Sequence, residues 1–179
     1  MMESDEPKEV FAFYGLAMYQ AQVLETALLN LLVALQACGR AGVTRTDIDA
    51  WFASHETKTF GTLVASVRRL TPISDEVEEL VREALGGRNH LAHHFFREHA
   101  EDFISVSGAR RMIEALRIQI SLFQKAQQAF EAICEPILGK LGVSQTLIDM
   151  LMNEAYQRAR ASDATPLWVS SKALDRDPG

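Results

Sequence analysis

The stretch from Pro7 to Ala37, PKEVFAFYGLAMYQAQVLETALLNLLVALQA, decides the fold class. Apolar residues recur in it every three or four positions, which predicts one long helix with an apolar face. These residues are Phe13, Leu16, Ala17, Val23, Leu24, Ala27, Leu28, Leu31, Leu32 and Leu35. Pro7 is typical of a helix start and Gly39 of a helix stop. Leu29 and Val33 lie off the main face, so we expect burial on more than one side, which points to a second chain.

The rest of the chain is also predicted to be helical. The expected segments run from Thr46 to about His55, from Phe60 to Leu70, from Ser74 to about His99, from Ala109 to about Cys134 and from Ser144 to about Arg160, with a loop over Glu101 to Gly108. Gly86 and Gly87 together cost a helix about 2 kcal/mol relative to alanine, so they predict a break or a kink. No alternating strand pattern occurs, and the sequence therefore predicts an all-α, antiparallel helical bundle with two long helices plus several shorter ones.

The length of 179 residues predicts one helical domain over 1–160 and a C-terminal tail over 161–179, loose or docked through Leu167-Trp168-Val169. The richest apolar run, Ala27 to Leu35, is shorter than the roughly 18–20 residues of a membrane span. The N-terminus is acidic where a signal peptide is basic. We therefore expect a cytoplasmic protein with no membrane partner.

Composition limits the possible functions. Hydrophobic residues make up 47% of the chain and charged residues 23%, which excludes wholesale disorder. The net charge of −6 excludes non-specific coating of nucleic acid, because such binding depends on Lys and Arg. Cys38 and Cys134 are isolated, and we interpret them as small buried thiols rather than a disulfide framework. Any nucleic-acid function must then come from a local site.

A local site is suggested by the segment Gly87 to Glu98, GRNHLAHHFFRE. Together with His99 it holds four of the five histidines of the chain. On a helical wheel the apolar residues Leu91, Ala92 and Phe95 share one side. Asn89, His90, His93 and Arg97 occupy the other side, and Arg88 lies about 140° from His93 across a shared edge.

Arginine and histidine together suit phosphodiester chemistry. A guanidinium binds phosphate through a planar fork of donors, and an imidazole accepts or gives a proton near neutral pH. A ribonuclease needs these groups to activate the 2′-hydroxyl, protonate the leaving oxygen and balance charge at phosphorus. The candidate catalytic residues are Arg88, Asn89 and His93, and possible additional residues are His94, His90 and Arg97.

The run Arg88-Asn89-His90-Leu91-Ala92-His93 resembles the signature of the HEPN superfamily (higher eukaryotes and prokaryotes nucleotide-binding). In that signature a polar residue follows an Arg, and four to six residues separate the Arg from a His. His93 fits with four intervening residues, and His94 fits with five. The resemblance rests on six residues, and its specificity rises because Asn89 is present and the motif lies on a predicted helix.

The resemblance implies a fold, an assembly and an activity. It implies a homodimer with two motifs facing each other in a cleft, and metal-independent endoribonuclease activity that leaves a 2′,3′-cyclic phosphate. It also implies a toxin or phage-defence role, with an antitoxin or other regulatory protein as a possible partner. Members controlled by adenylylation carry a Tyr two residues after the motif His, and Phe95 stands there. Control by adenylylation is therefore not expected at this position.

Three other interpretations remain open. Asn89 can be a plain helix N-cap after the glycines, without chemistry. His90, His93 and His94 can form a metal-binding face, with Glu98 or His99 completing the ligands, although no His-Glu-x-x-His motif supports this. A HEPN-like module can also bind RNA, a nucleotide or a protein without catalysis. We expect no metal and no cofactor.

Overall fold

The computed structural model describes residues 6–162, with side-chain burial given for 7–160. This part of the chain contains seven α-helices, one 3₁₀ turn and no strand, so the all-α prediction is confirmed. The elements are α1 (Glu6–Ala37), α2 (Arg45–Glu56), α3 (Phe60–Leu70), α4 (Asp75–His93), α5 (Phe95–Glu98), the 3₁₀ turn (Asp102–Ile104), α6 (Val106–Lys140) and α7 (Gln145–Ser162).

Short polar side chains set several helix starts. The hydroxyl oxygen of Thr44 accepts the backbone N–H of Asp47, whose carboxylate accepts the N–H of Thr44. This reciprocal pair begins α2 one residue before the predicted Thr46. Ser74 caps α4 by accepting the N–H of Val77 at 3.4 Å. The acidic first turn of α4 adds favourable interaction with the helix dipole.

Gly86 and Gly87 predicted a break or a kink, and the break is wrong, because α4 runs unbroken to His93 and the backbone turns at His94. A Cβ on Gly87 would collide with the amide of Gln119 on α6, whereas a Cβ on Gly86 meets nothing within 4 Å. Close packing against α6 therefore explains Gly87. The local helix penalty of glycine is overcome by tertiary packing.

The predicted loop over Glu101 to Gly108 is also corrected. The segment contains the 3₁₀ turn, and α6 begins at Val106, because Ser105 accepts the N–H of Gly108 at 3.1 Å. At its other end α6 passes through Pro136 to Lys140, beyond the predicted end at Cys134. Proline removes only one backbone donor there, one turn before the helix ends.

The long helices α1 and α6 lie side by side and run in the same direction. The Arg117 guanidinium of α6 lies 4.9 Å from the centre of the Phe13 ring of α1. Further toward the C-terminal ends of both helices, Gln20 Nε2 donates to Gln127 Oε1 at 2.7 Å. The antiparallel arrangement predicted for neighbouring helices does not describe this pair. By contrast, α4 runs in the opposite direction to α1. Tyr14 of α1 contacts Leu91, whereas Glu25, later in α1, contacts Arg88, which is earlier in α4.

The core is built from the facing sides of α1, α3, α4 and α6, together with Phe95 of α5. Its largest fully buried side chains are Phe95, Phe123, Phe130, Leu24, Leu28, Leu31, Leu32, Leu91, Met112 and Leu116. Val33 is only 4% exposed, as expected for a helix that is buried on more than one side, whereas Leu16 is 46% exposed although it was placed on the main face. The α1 surface is therefore apolar on its solvent side as well.

By length and composition α1 would also qualify as a membrane-spanning helix, over Pro7–Ala37. Of the most apolar 18-residue segment of this helix, 44% is buried inside the protein. Core helices of water-soluble proteins meet the same criterion, so this finding alone decides nothing about location.

The chain divides into two compact units, and the second begins at Gly142. In this unit Ser144 accepts the N–H of Leu147 at 3.2 Å and starts α7 as predicted. Beyond Ser162, the predicted tail with Leu167-Trp168-Val169 lies outside the described residues.

Gly108 gives a test of the packing between the 3₁₀ turn and α6. A Cβ at Gly108 would overlap the backbone of Asp102, whereas one at Gly139, near the other end of α6, meets nothing within 4 Å. We expect Gly108→Ala to lower the free energy of unfolding by about 1–3 kcal/mol and Gly139→Ala to leave it unchanged or raised by up to about 1 kcal/mol. Urea unfolding measures both, and equal stability of the two variants would contradict the packing described.

His55 predicts a loss of stability in mild acid. Its ring is 5% exposed, donates from Nε2 to Gln36 Oε1 at 3.2 Å and accepts from Lys58 Nζ at Nδ1 at 2.8 Å. Burial, and then the Lys58 charge, lower the pKa of His55 below 6.5. The unfolded chain therefore binds the proton more readily, and stability falls as pH drops below about 6.5, by at most about 1.4 kcal/mol per pH unit.

Urea unfolding of wild type and His55→Gln at pH 7.5 and 5.5 measures this effect. We expect the wild type to lose more stability than His55→Gln over this interval. The low pKa values of Asp47 and Asp102 place their titration at more acidic pH. An identical pH dependence in the two proteins would show that His55 is not the group responsible.

Candidate functional site

The last three turns of α4 present two different sides. Gly87 and Leu91 are buried against the body of the protein, while Asn89 and His93 are exposed. Arg88 lies between these sides and is half-buried. The helical period predicts these positions, because residues three and four apart share a side. Ala92 is an exception, since it is exposed although the helical wheel placed it on the apolar side with Leu91.

Arg88 is held by a carboxylate from α1. Its Nε donates to Glu25 Oε1 at 3.0 Å, and its Nη1 donates to Asn89 Oδ1 at 3.4 Å. The Arg88 side chain is 36% exposed and that of Glu25 is 31% exposed. Within residues 6–162 no hydrogen bond is found for Nη2 of Arg88, so its N–H donors stay available for a second anion. A guanidinium N–H group can donate a charge-assisted hydrogen bond to a phosphate oxygen.

Glu25 was missed as a site residue by the motif analysis. The sequence did contain a signal, because Glu25 is the only charged residue between Glu9 and Arg40. A single carboxylate in an otherwise uncharged helix predicts a specific partner, since a buried or half-buried charge is costly without one.

The structure distinguishes His93 from His94. His94 ends α4, and its Nδ1 accepts from Arg97 Nη2 at 2.8 Å. His93 is exposed, its ring lies 6.2 Å from that of His94, and no hydrogen bond to its imidazole is found in the described part of the chain. A free imidazole can exchange protons with a ligand, so His93 suits the acid/base role better than His94.

His90 and Arg97 are engaged away from Arg88. His90 Nε2 donates to Glu98 Oε2 at 2.9 Å, and this hydrogen bond is the main cause of the lowered pKa of Glu98. Electrostatic interactions with His90, His94 and Arg97 lower the pKa of Glu98 further. His90 and Arg97, two of the three residues proposed as possible additions to the site, therefore bind Glu98 and His94 rather than Arg88.

The position of His93 is fixed by packing at the end of α4. The Tyr14 hydroxyl donates to the backbone carbonyl of Leu91 at 3.1 Å, which satisfies an acceptor in the last helical turn. The Phe95 ring, 2% exposed, packs 5.9 Å from that of Tyr14. These contacts anchor the chain on both sides of the turn that follows His93.

The fourth histidine of the cluster, His99, has a structural partner. Its Nδ1 donates to Asp102 Oδ2 at 2.9 Å, and Arg111 donates to the other carboxylate oxygen. The hydrogen bond from His99, followed by that from Arg111, lowers the pKa of Asp102. These contacts join the 3₁₀ turn to α6 and do not involve Arg88 or His93.

Arg88 and His93 do not contact each other in the described part of a single chain. Arg88 and Asn89 are joined, whereas no hydrogen bond or ring contact between His93 and Arg88 is found among the described residues. They lie five positions apart on α4, which is about 7.5 Å along the axis. A ligand would have to bridge them, or a second copy would have to supply the facing groups.

A metal site is not built by these histidines in the described part of the chain. Within residues 6–162 no group of three or more His, Cys, Asp or Glu side chains is placed to hold a metal ion. The metal-binding interpretation of His90, His93 and His94 therefore has no geometric support in this region.

Known proteins give no independent assignment. No family model, no curated protein and no solved structure matches this chain.

Proposed function

We propose that this protein is a HEPN-like, metal-independent endoribonuclease whose site is completed at the interface of a homodimer. The observation that carries the proposal is the placement of two groups on α4. Arg88 is anchored by Glu25 with no hydrogen bond found for Nη2, and His93 follows five positions later with a free imidazole in the described part of the chain. The all-α fold is compatible with the resemblance of the Arg88 to His93 run.

The proposed chemistry uses the 2′-hydroxyl of RNA. The neutral His93 imidazole takes the 2′-hydroxyl proton as the 2′-oxygen attacks phosphorus and the bond to the 5′-oxygen breaks. The His93 imidazolium of the other protomer gives a proton to the departing 5′-oxygen, and the product is a 2′,3′-cyclic phosphate. Arg88 balances the charge that develops on the phosphoryl oxygens, and Asn89 orients its guanidinium.

The setting of the activity is part of the same proposal. A protein of this kind would act in the cytoplasm as a toxin or in defence against phage, and a cognate antitoxin or other regulatory protein would restrain it. The acidic net charge of −6 disfavours contact with long RNA away from the site.

A second candidate function is a non-catalytic module that binds RNA or a nucleotide. It is favoured by the Glu25 carboxylate, which already neutralises part of the Arg88 charge at 3.0 Å. A substrate phosphate would have to bind beside that carboxylate. Binding of RNA without cleavage by the wild type would favour this function.

Cleavage of a fluorescent single-stranded RNA in excess EDTA tests the proposal. We expect the wild type to cleave, and Arg88→Ala and His93→Ala to lose most of the activity. Arg82→Ala is the matched control, because Arg82 lies on the same helix and pairs with Glu79. Undiminished cleavage by both site variants would remove the assignment and indicate a contaminating nuclease.

A further inference from the structure

One side of α7 carries a continuous apolar strip. It comprises Ile148, Leu151, Met152, Ala155 and Tyr156, called the α7 strip below. Successive positions turn by about 100°, so these residues fall within an arc of about 140°. The other residues between Ile148 and Tyr156 lie outside that arc, among them the carboxylates Asp149 and Glu154. The α7 strip therefore contains no charge and no polar group other than the Tyr156 hydroxyl.

Most of the α7 strip is open to solvent. Met152 is 67% exposed, Tyr156 57% and Leu151 51%. Ile148 is half-buried. The Arg160 guanidinium lies 5.1 Å from the centre of the Tyr156 ring and is the neighbour that this ring has within α7. A single exposed apolar residue needs no explanation, whereas a continuous apolar face marks an interaction surface.

We propose that the run Leu167-Trp168-Val169 of the same chain covers the α7 strip. The run lies outside the described residues, and it is the only stretch of three consecutive large apolar side chains after Ser162. A packed tryptophan buries about 150–250 Å². The thioether of Met152 is a favourable neighbour for an aromatic ring. The run therefore matches the strip in chemistry.

The run is also within reach of the α7 strip. Helix α7 ends at Ser162. Trp168 follows six positions later, which allows a span of up to about 20 Å. Met152 lies ten positions before Ser162, which is about 15 Å along the helix axis. Pro166 disfavours helical backbone at the residue before it, so the chain can turn back there toward the strip.

A tethered segment fits the α7 strip better than a separate occupant. A short flexible linker holds its segment at an effective concentration of about 1 mM, so even a weak contact forms. Helices that lie on membranes carry Lys and Arg along their polar side. By contrast, α7 balances Asp149 and Glu154 against Arg158 and Arg160. The contact is independent of RNA cleavage.

Fluorescence of Trp168 in the full chain tests the proposal. Trp51→Phe leaves Trp168 as the only tryptophan, since the chain has two. We expect its emission at shorter wavelength than in urea, with weaker quenching by acrylamide. In that background, Met152→Lys and Leu151→Lys should shift the emission toward that of the unfolded chain. Met150→Lys is the matched control, because Met150 is 51% exposed but lies about 160° around the helix from Met152.

Circular dichroism checks that α7 is kept, which lysine at exposed helix positions allows. Emission equal to that in urea would overturn the proposal and leave the α7 strip to a separate protein or a lipid surface. A buried Trp168 that neither lysine on the strip releases would overturn it too, because the run would then pack elsewhere. Burial that rises with protein concentration would replace the tethered contact by one with a second copy. Absence of RNase activity would overturn only the proposed function.

Discussion

Replacing His93 with alanine is expected to lower the rate of RNA cleavage by about 10²–10⁴-fold, the usual contribution of a positioned acid/base group. Replacing His94 should cost far less, because its Nδ1 is already hydrogen-bonded to Arg97 at 2.8 Å. The exposed His93 imidazole has no such partner among the described residues. The two substitutions remove the same chemical group from adjacent positions, so the comparison isolates the effect of position.

Single-turnover rates on one RNA, measured in EDTA, check this prediction. Unfolding curves for the two variants serve as the control, since both histidines are exposed and neither substitution should alter stability by much. A large loss in His94→Ala with normal cleavage by His93→Ala would move the acid/base role to His94 and to the alternative motif spacing.

Glu25→Ala is expected to lower the cleavage rate by about 10²-fold, because a misplaced catalytic group can cost that much. Glu25→Gln should cost less, because its Oε1 still accepts from Arg88 Nε. Glu25 accepts from Nε of Arg88 and thereby fixes the direction of the guanidinium. Both side chains are about one third exposed, so the ion pair should add little to stability. The effect should therefore appear in kcat, with folding and KM little changed.

The matched control is Glu83→Ala, an exposed carboxylate on α4 with no contact to Arg88. Tighter RNA binding by Glu25→Ala at an unchanged kcat would show that Glu25 acts as a counter-charge to Arg88 and not as a positioning residue. That result would favour the binding-module function over catalysis.

Local patterns in the sequence predicted most helices. α3 matches its predicted bounds, and α1 begins one residue before the predicted Pro7 and ends at Ala37 as predicted, because periodicity and capping residues act over a few positions. The predicted helix break at Gly87 was wrong. The role of this glycine depends on Gln119, which is distant in sequence, and no local rule contains that contact.

The candidate site was predicted only in part. The motif placed Arg88 and His93 on one helix, but the partner of Arg88 lies 63 positions away on α1. Likewise, His94 has a hydrogen-bond partner and His93 has none in the described part of the chain, because the backbone turns at His94 and Arg97 donates to its ring. A helical wheel assumes one straight helix and does not include this turn. Such pairings follow from tertiary packing.

The most direct test of the central claim is the identity of the RNA products formed in EDTA. Mass spectrometry of a cleaved oligonucleotide should show 5′ fragments ending in a 2′,3′-cyclic phosphate, and the same sequence with 2′-O-methyl groups throughout should stay intact. Arg88→Ala and His93→Ala should yield none of these fragments. Cleavage of the 2′-O-methyl strand, or products with a free 3′-hydroxyl, would contradict the joint action of Arg88 and His93 on an RNA phosphodiester.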